Sequence, residues 1–313
     1  DNYKSQYIIK QNKGRLCKTN SASGIYNHLQ WYNVERMVFR KETIPCIYYF
    51  ETELVLPDAN ETHCPAMKNG GMLMNIGFIG AGKVGFSLGK YLTERNVRVT
   101  GYYSRNPDSS REAADFTNTR QYMNLRHLVE DSDVLFVAIP DSAIAPMWEQ
   151  LKMLPIQNKI ISHFSGSLSS AVFSDIERYH AYGYSIHPLF AINDKYESYK
   201  VISQAFFTIE GDPKYLNWFQ KLFEGFGNPV EIISGQDKVR YHAAAAMVSN
   251  LYVGLANLCE EMLRNCGFSA ANAHRALSPL MMGNTENIVK YRPVGALTGP
   301  IERNDLSTVM DHL

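Results

Sequence analysis

The 313-residue sequence predicts an α/β fold, a Rossmann-type, mostly parallel sheet followed by an all-helical C-terminal domain. Three observations carry that reading. From Leu73 onward short apolar runs alternate with amphipathic stretches, the order required by a parallel sheet covered with helices. Between the first apolar run and the first amphipathic stretch stands Gly80-Ala81-Gly82-Lys83-Val84-Gly85. Beyond Gly235 the strand-like runs stop and helical periodicity takes over.

Taken in order, residues 73–79 are the expected first strand, 82–95 a helix and 97–103 the second strand. A brief third strand lies near Gln121, and 133–139 and 159–164 are the fourth and fifth. Residues 184–187, 205–210 and 230–233 are further strands, with an amphipathic helix over 213–226 before the last. In the helical part, Asp237 is placed to cap a helix that runs to about Asn265 and is stopped by Gly267, and Ser269 to cap the next. At ~1.5 Å per residue the first of these would span on the order of 40 Å, more than a small domain needs. It is therefore expected to run through a subunit interface, making the protein a homodimer through its helical domain.

The expected division is a sheet domain over 73–234 and a helical domain over 235–313. The second reads as truncated, because the sequence stops inside a helix that begins after Asn304-Asp305, both good N-caps. Residues 1–72 precede these as an extension rich in Tyr, Asn and Lys, with one β-like stretch over 44–56. The sequence opens on Asp1, and Lys68-Asn69-Gly70-Gly71-Met72 reads like a translated purine-rich bacterial ribosome-binding site with its start codon. Met72 or Met74 is then the native start and the extension is not native; the alternative is a genuine N-terminal segment.

Composition narrows the function classes. Acidic and basic residues balance at 31 each, so no overall field favours nucleic acid or an anionic membrane. Small molecules are the expected partners. The longest apolar runs, such as 134–139, fall far short of the ~18–20 residues of a membrane span. Five cysteines, Cys17, Cys46, Cys64, Cys259 and Cys266, are scattered without zinc-site spacing or disulfide density, so no metal is expected and a reducing cytoplasm is the simplest location. Asn60-Glu61-Thr62 fits a glycosylation sequon, but nothing near Asp1 resembles a signal peptide, and the sequon is given no weight.

The glycine run has a mechanical reading. Gly80 permits a tight turn, Gly82 lets the backbone approach a pyrophosphate, and Gly85 lets the helix pack on the strand, while Ala81, Lys83 and Val84 complete a helix N-terminus with free N–H groups. At the end of strand two an NAD site usually carries Asp or Glu, about 20 residues after the glycines. Ser104-Arg105 stands there instead, and a hydroxyl with a guanidinium suits a 2′-phosphate, which favours NADP(H) over NAD(H). Ile139 and Pro140, at the end of strand four, flank the same crevice.

Ligands in such sheets sit beyond the carboxyl ends of the strands. Strand four ends in Ile139-Pro140-Asp141-Ser142, strand five in His163-Phe164-Ser165-Gly166-Ser167 and strand six in Ile186-His187-Pro188-Leu189. His187 is the sharpest candidate, because an imidazole with an ordinary pKa near 6.5 passes protons readily. At the start of the long helix Lys238, His242 and Ser249 share one polar face, with Asn250 at its edge and Ala243 to Ala246 permitting close approach. The alternative is a polar stripe that meets water or a dimer partner.

From about Met74 to the end the sequence resembles uncharacterised bacterial oxidoreductases in which a Rossmann-like domain precedes a C-terminal domain of unknown function. The resemblance rests on residues 77–85, Ser165-Gly166-Ser167, His187-Pro188-Leu189, Tyr241-His242-Ala243-Ala244-Ala245, Ser249-Asn250, and residues 296–301 leading to Asp305. That family is similar to pyrroline-5-carboxylate reductases, β-hydroxyacid dehydrogenases and prephenate dehydrogenases, which implies NAD(P)-dependent hydride transfer on a small molecule. Lys238 is placed like the catalytic lysine of β-hydroxyacid dehydrogenases, with His242 where their Asn stands. His187-Pro188 looks like the His-Pro of prephenate dehydrogenases, without an arginine to match their dicarboxylate. Thr298-Gly299-Pro300 resembles the helical-domain loop of pyrroline-5-carboxylate reductases. The expectation is an NADP(H)-dependent oxidoreductase in which Ser165 and His187 orient a carbonyl, imine or hydroxyl and Lys238 or His242 assists proton transfer. The alternative is a non-catalytic NADP(H)-sensing protein that binds a partner.

Overall fold

A computed structural model of the chain describes residues 74–311. The extension 1–72, with Cys17, Cys46, Cys64, Asn60 and Met72, lies outside the described residues. Eight strands form one sheet: β1 (Ile76–Ile79), β2 (Val99–Tyr103), β3 (Arg120–Tyr122), β4 (Val134–Val137), β5 (Ile160–His163), β6 (Tyr182–Leu189), β7 (Phe206–Gly211) and β8 (Val230–Ile232). Their spatial order is β3-β2-β1-β4-β5-β6-β7-β8, and every neighbouring pair is parallel except β6 with β7. The mostly parallel sheet read from the sequence is thus the one observed, and its strand order reverses between β1 and β4.

Helices α1 (Lys83–Thr93), α2 (Pro107–Thr117), α3 (Leu125–Asp131), α4 (Asp141–Leu151) and α5 (Pro213–Glu224) cover both faces. Because successive strand residues point to opposite faces, Val134 and Phe136 of β4 enter one core with Phe78, Tyr184 and Phe219. Leu135 and Val137 enter the other with Ile79, Ile161 and Trp148 of α4. All four residues of β1, β4 and β5 are buried, which explains why β4 reads as a continuous apolar segment rather than an alternating one. Helix α5 starts where its sequence places it, with Pro213 in the first turn and the Asp212 side chain accepting from the Lys214 N–H at 2.8 Å.

The helical part comprises α6 (Lys238–Ala246), a π-helical turn over Met247–Leu251, α7 (Tyr252–Asn265), α8 (Ala270–Ala296), α9 (Gly299–Glu302) and α10 (Leu306–Asp311). Ser269 caps α8 as expected, Gly267 ends α7 at φ +92°, and Asp305 accepts from the Thr308 N–H at the start of α10. Two expectations need correction. Asp237 makes no capping bond to α6 and its carboxylate instead lies 3.4 Å from Arg240, while Ser234 caps the preceding 3-10 turn. Ser249 falls in the π turn, where it is exposed and its hydroxyl donates back to the Ala245 carbonyl rather than to Lys238 or His242. No helix among the described residues is long and apolar enough to cross a membrane.

Candidate functional site

The first part of the site is a cleft at the reversal point of the sheet. Gly80, Ala81 and Gly82 from the turn after β1, Ser104 and Arg105 after β2, and Ile139 and Pro140 after β4 all line it. Tyr103, Met147 and Gln150 are also part of the wall, and nothing in their spacing announced them. Gly80 sits at φ +103°, and a Cβ there would press into the Ala138 carbonyl oxygen, so the turn admits only glycine. A Cβ on Gly85 would lie 2.7 Å from the Gly80 carbonyl oxygen and 2.8 Å from the Ala138 Cβ, which is the helix-to-strand contact its spacing predicts. Around Gly82 a Cβ would meet no protein atom, so that side of the backbone faces open space.

Gly82 is the N-cap of α1 without a side-chain bond, and Lys83 and Val84 begin the helix, leaving the first N–H groups for a ligand. The open approach at Gly82, the free helix terminus and the cleft between β1 and β4 fit a dinucleotide pyrophosphate. Arg105 is exposed and forms no ion pair among the described residues.

Beside this cleft lies a buried polar cluster around Ser165-Gly166-Ser167. Asp141, the residue after Pro140, accepts from the Ser165 hydroxyl at 2.6 Å and the Ser167 hydroxyl at 3.1 Å. The Ser165 oxygen in turn accepts from the N–H groups of Ser167 and Leu168. Ser165 was expected to orient substrate, but its hydroxyl is spent on shaping the loop. Fully buried His163 supports the same loop: its Nδ1 accepts from the Ser165 N–H at 3.2 Å, so its proton is on Nε2, 3.2 Å from the Ser169 carbonyl. Burial lowers its pKa to about 4.

Lys238, at the start of α6, is 1% exposed and donates from Nζ to the Ser165 carbonyl at 2.9 Å and to the Ser185 hydroxyl at 2.8 Å. Burial lowers its pKa to about 8, opposed by the carboxylates of Glu210 and Asp141. Glu210 is itself held by the Ser170 N–H at 2.8 Å and the Ser170 hydroxyl at 2.5 Å. His187, on β6, has its Nδ1 2.7 Å from the Tyr241 hydroxyl. Burial, and then the neighbouring Lys238 and His242, lower its pKa to about 4.

His187 and His242 converge on Gly166. A Cβ at Gly166 would lie 2.9 Å from His187 Nε2 and closer still to His242 Nδ1, so only glycine lets both imidazoles in. His242 Nδ1 is buried without a hydrogen-bond partner. The structure thus brings His187, Lys238, His242 and Ser165 to one loop. Several members of the cluster escaped sequence reasoning, Ser185 and Glu210 among them. Asp141 stood unremarked in a noted strand end, and Tyr241 stood beside a noted histidine.

Comparison with known proteins matches two successive parts of the chain. Residues 75–166 match the family model described as NADP oxidoreductase, coenzyme F420-dependent, and residues 205–313 match the domain of unknown function DUF2520. No curated protein matches the chain. Among solved structures, a Thermotoga maritima protein is 27% identical, with 76% of this chain and 87% of that chain covered at a TM-score of 0.61. A pyrroline-5-carboxylate reductase from Coxiella burnetii is 15% identical, covering 77% and 92% at 0.53. A reductive aminase from Aspergillus terreus, solved with NADPH and ethyl-5-oxohexanoate, is 12% identical, covering 69% and 75% at 0.53. At such identities the last two share the fold. Two family models thus match successive parts of this chain, an NADP oxidoreductase model over the first strands of its sheet and DUF2520 over its C-terminal part, the order that its motifs resemble.

Proposed function

We propose that the protein is an NADP(H)-dependent oxidoreductase that moves hydride to or from a small carbonyl, imine or hydroxy compound. The observation that carries this reading is the direct join between cleft and cluster: Pro140 lines the cleft, and Asp141 beside it accepts from Ser165 at the edge of the imidazole pair. When bound, the nicotinamide supplies or takes the hydride. The chain does the rest. The turn from Gly80 through Ala81, Gly82, Lys83 and Val84 to Gly85 holds the pyrophosphate, with Ile139 and Pro140 opposite. Ser104 and Arg105 take the 2′-phosphate, since a guanidinium without an internal carboxylate partner is available to it. His187 and His242 face the substrate, Lys238 fixes the Ser165 carbonyl and can exchange a proton near pH 8, and Ser165 keeps the loop in shape.

A homodimer through the helical part belongs to the same proposal. Among the described residues from Lys238 to Asp311 the only buried apolar side chain is Ala273, whereas Val248, Val289 and Val294 are 80%, 80% and 92% exposed. Helices that bury so little within their own chain require a second surface. Sedimentation velocity checks this, with a monomer at micromolar concentration counting against it.

The decisive experiment is a panel of carbonyls, imines and hydroxyacids followed at the nicotinamide absorbance with NADPH and NADH. Turnover that prefers NADPH and collapses in His187→Ala supports the assignment. Tight NADPH binding with no turnover across the panel overturns it and leaves a nucleotide sensor.

A further inference from the structure

The Tyr241 hydroxyl and His187 Nδ1 are 2.7 Å apart, with the two rings edge to face and their centroids separated by 5.6 Å. Relative acidity decides which atom donates. A phenol is a stronger acid than the N–H of a neutral imidazole, and an imidazole nitrogen is a stronger base than a phenol oxygen. Tyr241 therefore donates and Nδ1 accepts. Burial keeps both partners neutral, since it raises the Tyr241 pKa and, with Lys238 and His242, lowers that of His187 to about 4. A neutral ring that accepts at Nδ1 carries its single proton on Nε2. Nε2 is the nitrogen turned toward Gly166, and the unpartnered His242 Nδ1 lies against the same glycine.

We propose that Tyr241 is a positioning residue that locks His187 with its proton on Nε2. This makes the substrate corner of the site a hydrogen-bond donor and selects a substrate that offers an acceptor heteroatom, a carbonyl oxygen or an imine nitrogen, for reduction. The tautomer rests on the 2.7 Å contact and the relative acidity of its two groups, and the substrate class rests on the oxidoreductase reading. His163 provides an internal reference, because its neighbours fix it in the same Nε2–H form.

The test is a long-range proton–nitrogen NMR spectrum of the 15N-labelled full chain near pH 7, with the His187 signals identified by their loss in His187→Gln. The expected wild-type pattern is a pyridine-like Nδ1 and a pyrrole-like Nε2. In Tyr241→Phe both His187 signals should move toward a common averaged position while those of His163 stay in place. A pyrrole-like Nδ1 or a charged ring in the wild type overturns the proposal, whether or not the variant folds. So does an unchanged His187 pattern in a folded Tyr241→Phe. On any reducible substrate found by the panel, Tyr241→Phe should lower kcat about tenfold with KM within about twofold, the mark of a lost positioning bond. A panel without turnover defeats the substrate half and leaves the tautomer to the spectrum; turnover together with the wrong tautomer defeats this proposal and spares the oxidoreductase reading.

Discussion

Replacing Lys238 with Met probes the electrostatics of the cluster through stability alone. Folding strips this ammonium of water, and burial lowers its pKa from 10.5 to about 8 despite the pull of Glu210 and Asp141. Below pH 8 the native and unfolded chains both hold the proton, and the penalty of burying the charge is constant. Between pH 8 and 10.5 the unfolded chain still holds a proton that the native chain has released, so stability rises with pH. At about 1.4 kcal/mol per pH unit the gain integrates to about 3 kcal/mol and is complete above the unfolded pKa.

Lys238→Met lacks the titrating group, and the histidines that its charge depresses are neutral in both proteins from pH 7 upward, so the other ionisations nearly cancel across that window. At neutral pH the variant escapes the charge penalty but strips a donor from the Ser165 carbonyl and the Ser185 hydroxyl, at about 1–3 kcal/mol for each acceptor left unpaired. The two effects roughly cancel there. The assay is a set of urea midpoints for both proteins at pH steps from 7 to about 11. Wild-type stability relative to the variant should climb by about 3 kcal/mol across the window. A flat difference would refute the claim that Lys238 is held desolvated.

Further outcomes follow from neighbouring features. Gly166→Ala should cost about 1–3 kcal/mol in a urea midpoint, because the new Cβ meets two imidazole nitrogens; an unchanged midpoint would mean that the rings have room to retreat. Arg105→Ala should weaken NADPH binding by roughly 10- to 100-fold in calorimetry, the worth of a charge-assisted bond, and leave NADH binding unchanged; equal losses for both would remove the 2′-phosphate assignment. The pKa of His163 falls from 6.5 to about 4 on folding, so its contribution is complete above pH 6.5 and is lost as pH drops through 4. His163→Gln should therefore flatten about 3 kcal/mol of the acid limb of stability, and an identical limb in both proteins would contradict its burial.

Local chemistry made most of the nucleotide half legible in the sequence. Gly80, Gly82 and Gly85 act within one turn, and each meets the steric condition that its spacing implies. The cluster was legible only in part, because its bonds join distant segments. Ser165 reads as a free hydroxyl until Asp141, 24 positions upstream, is folded against it. Tyr241 draws no role of its own from the sequence until the fold sets it against His187, 54 positions away. Helical periodicity placed Lys238 and His242 together, since both fall within one regular helix, whereas Ser249 lies in a π turn, exposed and bonded back to Ala245. Registers inferred at 100° per residue hold only as far as the hydrogen-bond pattern that defines them.

The charge states of the cluster explain why one loop gathers so many bases. His163 and His187 are neutral above about pH 4, and Lys238 keeps its proton up to about pH 8. Across the interval between, the ammonium clamps the Ser165 carbonyl while two uncharged imidazoles line the loop. Lys238 helps to set that interval, since its charge is among the causes of depression at both histidines. A carboxylate in direct contact with His187 would stabilise the imidazolium and cancel this effect, but the carboxylates of the cluster are already committed, Asp141 to Ser165 and Ser167 and Glu210 to Ser170. The cluster therefore offers neutral imidazoles beside a fixed cation, an arrangement suited to polarising a neutral acceptor and one that discourages a second cation at the same loop.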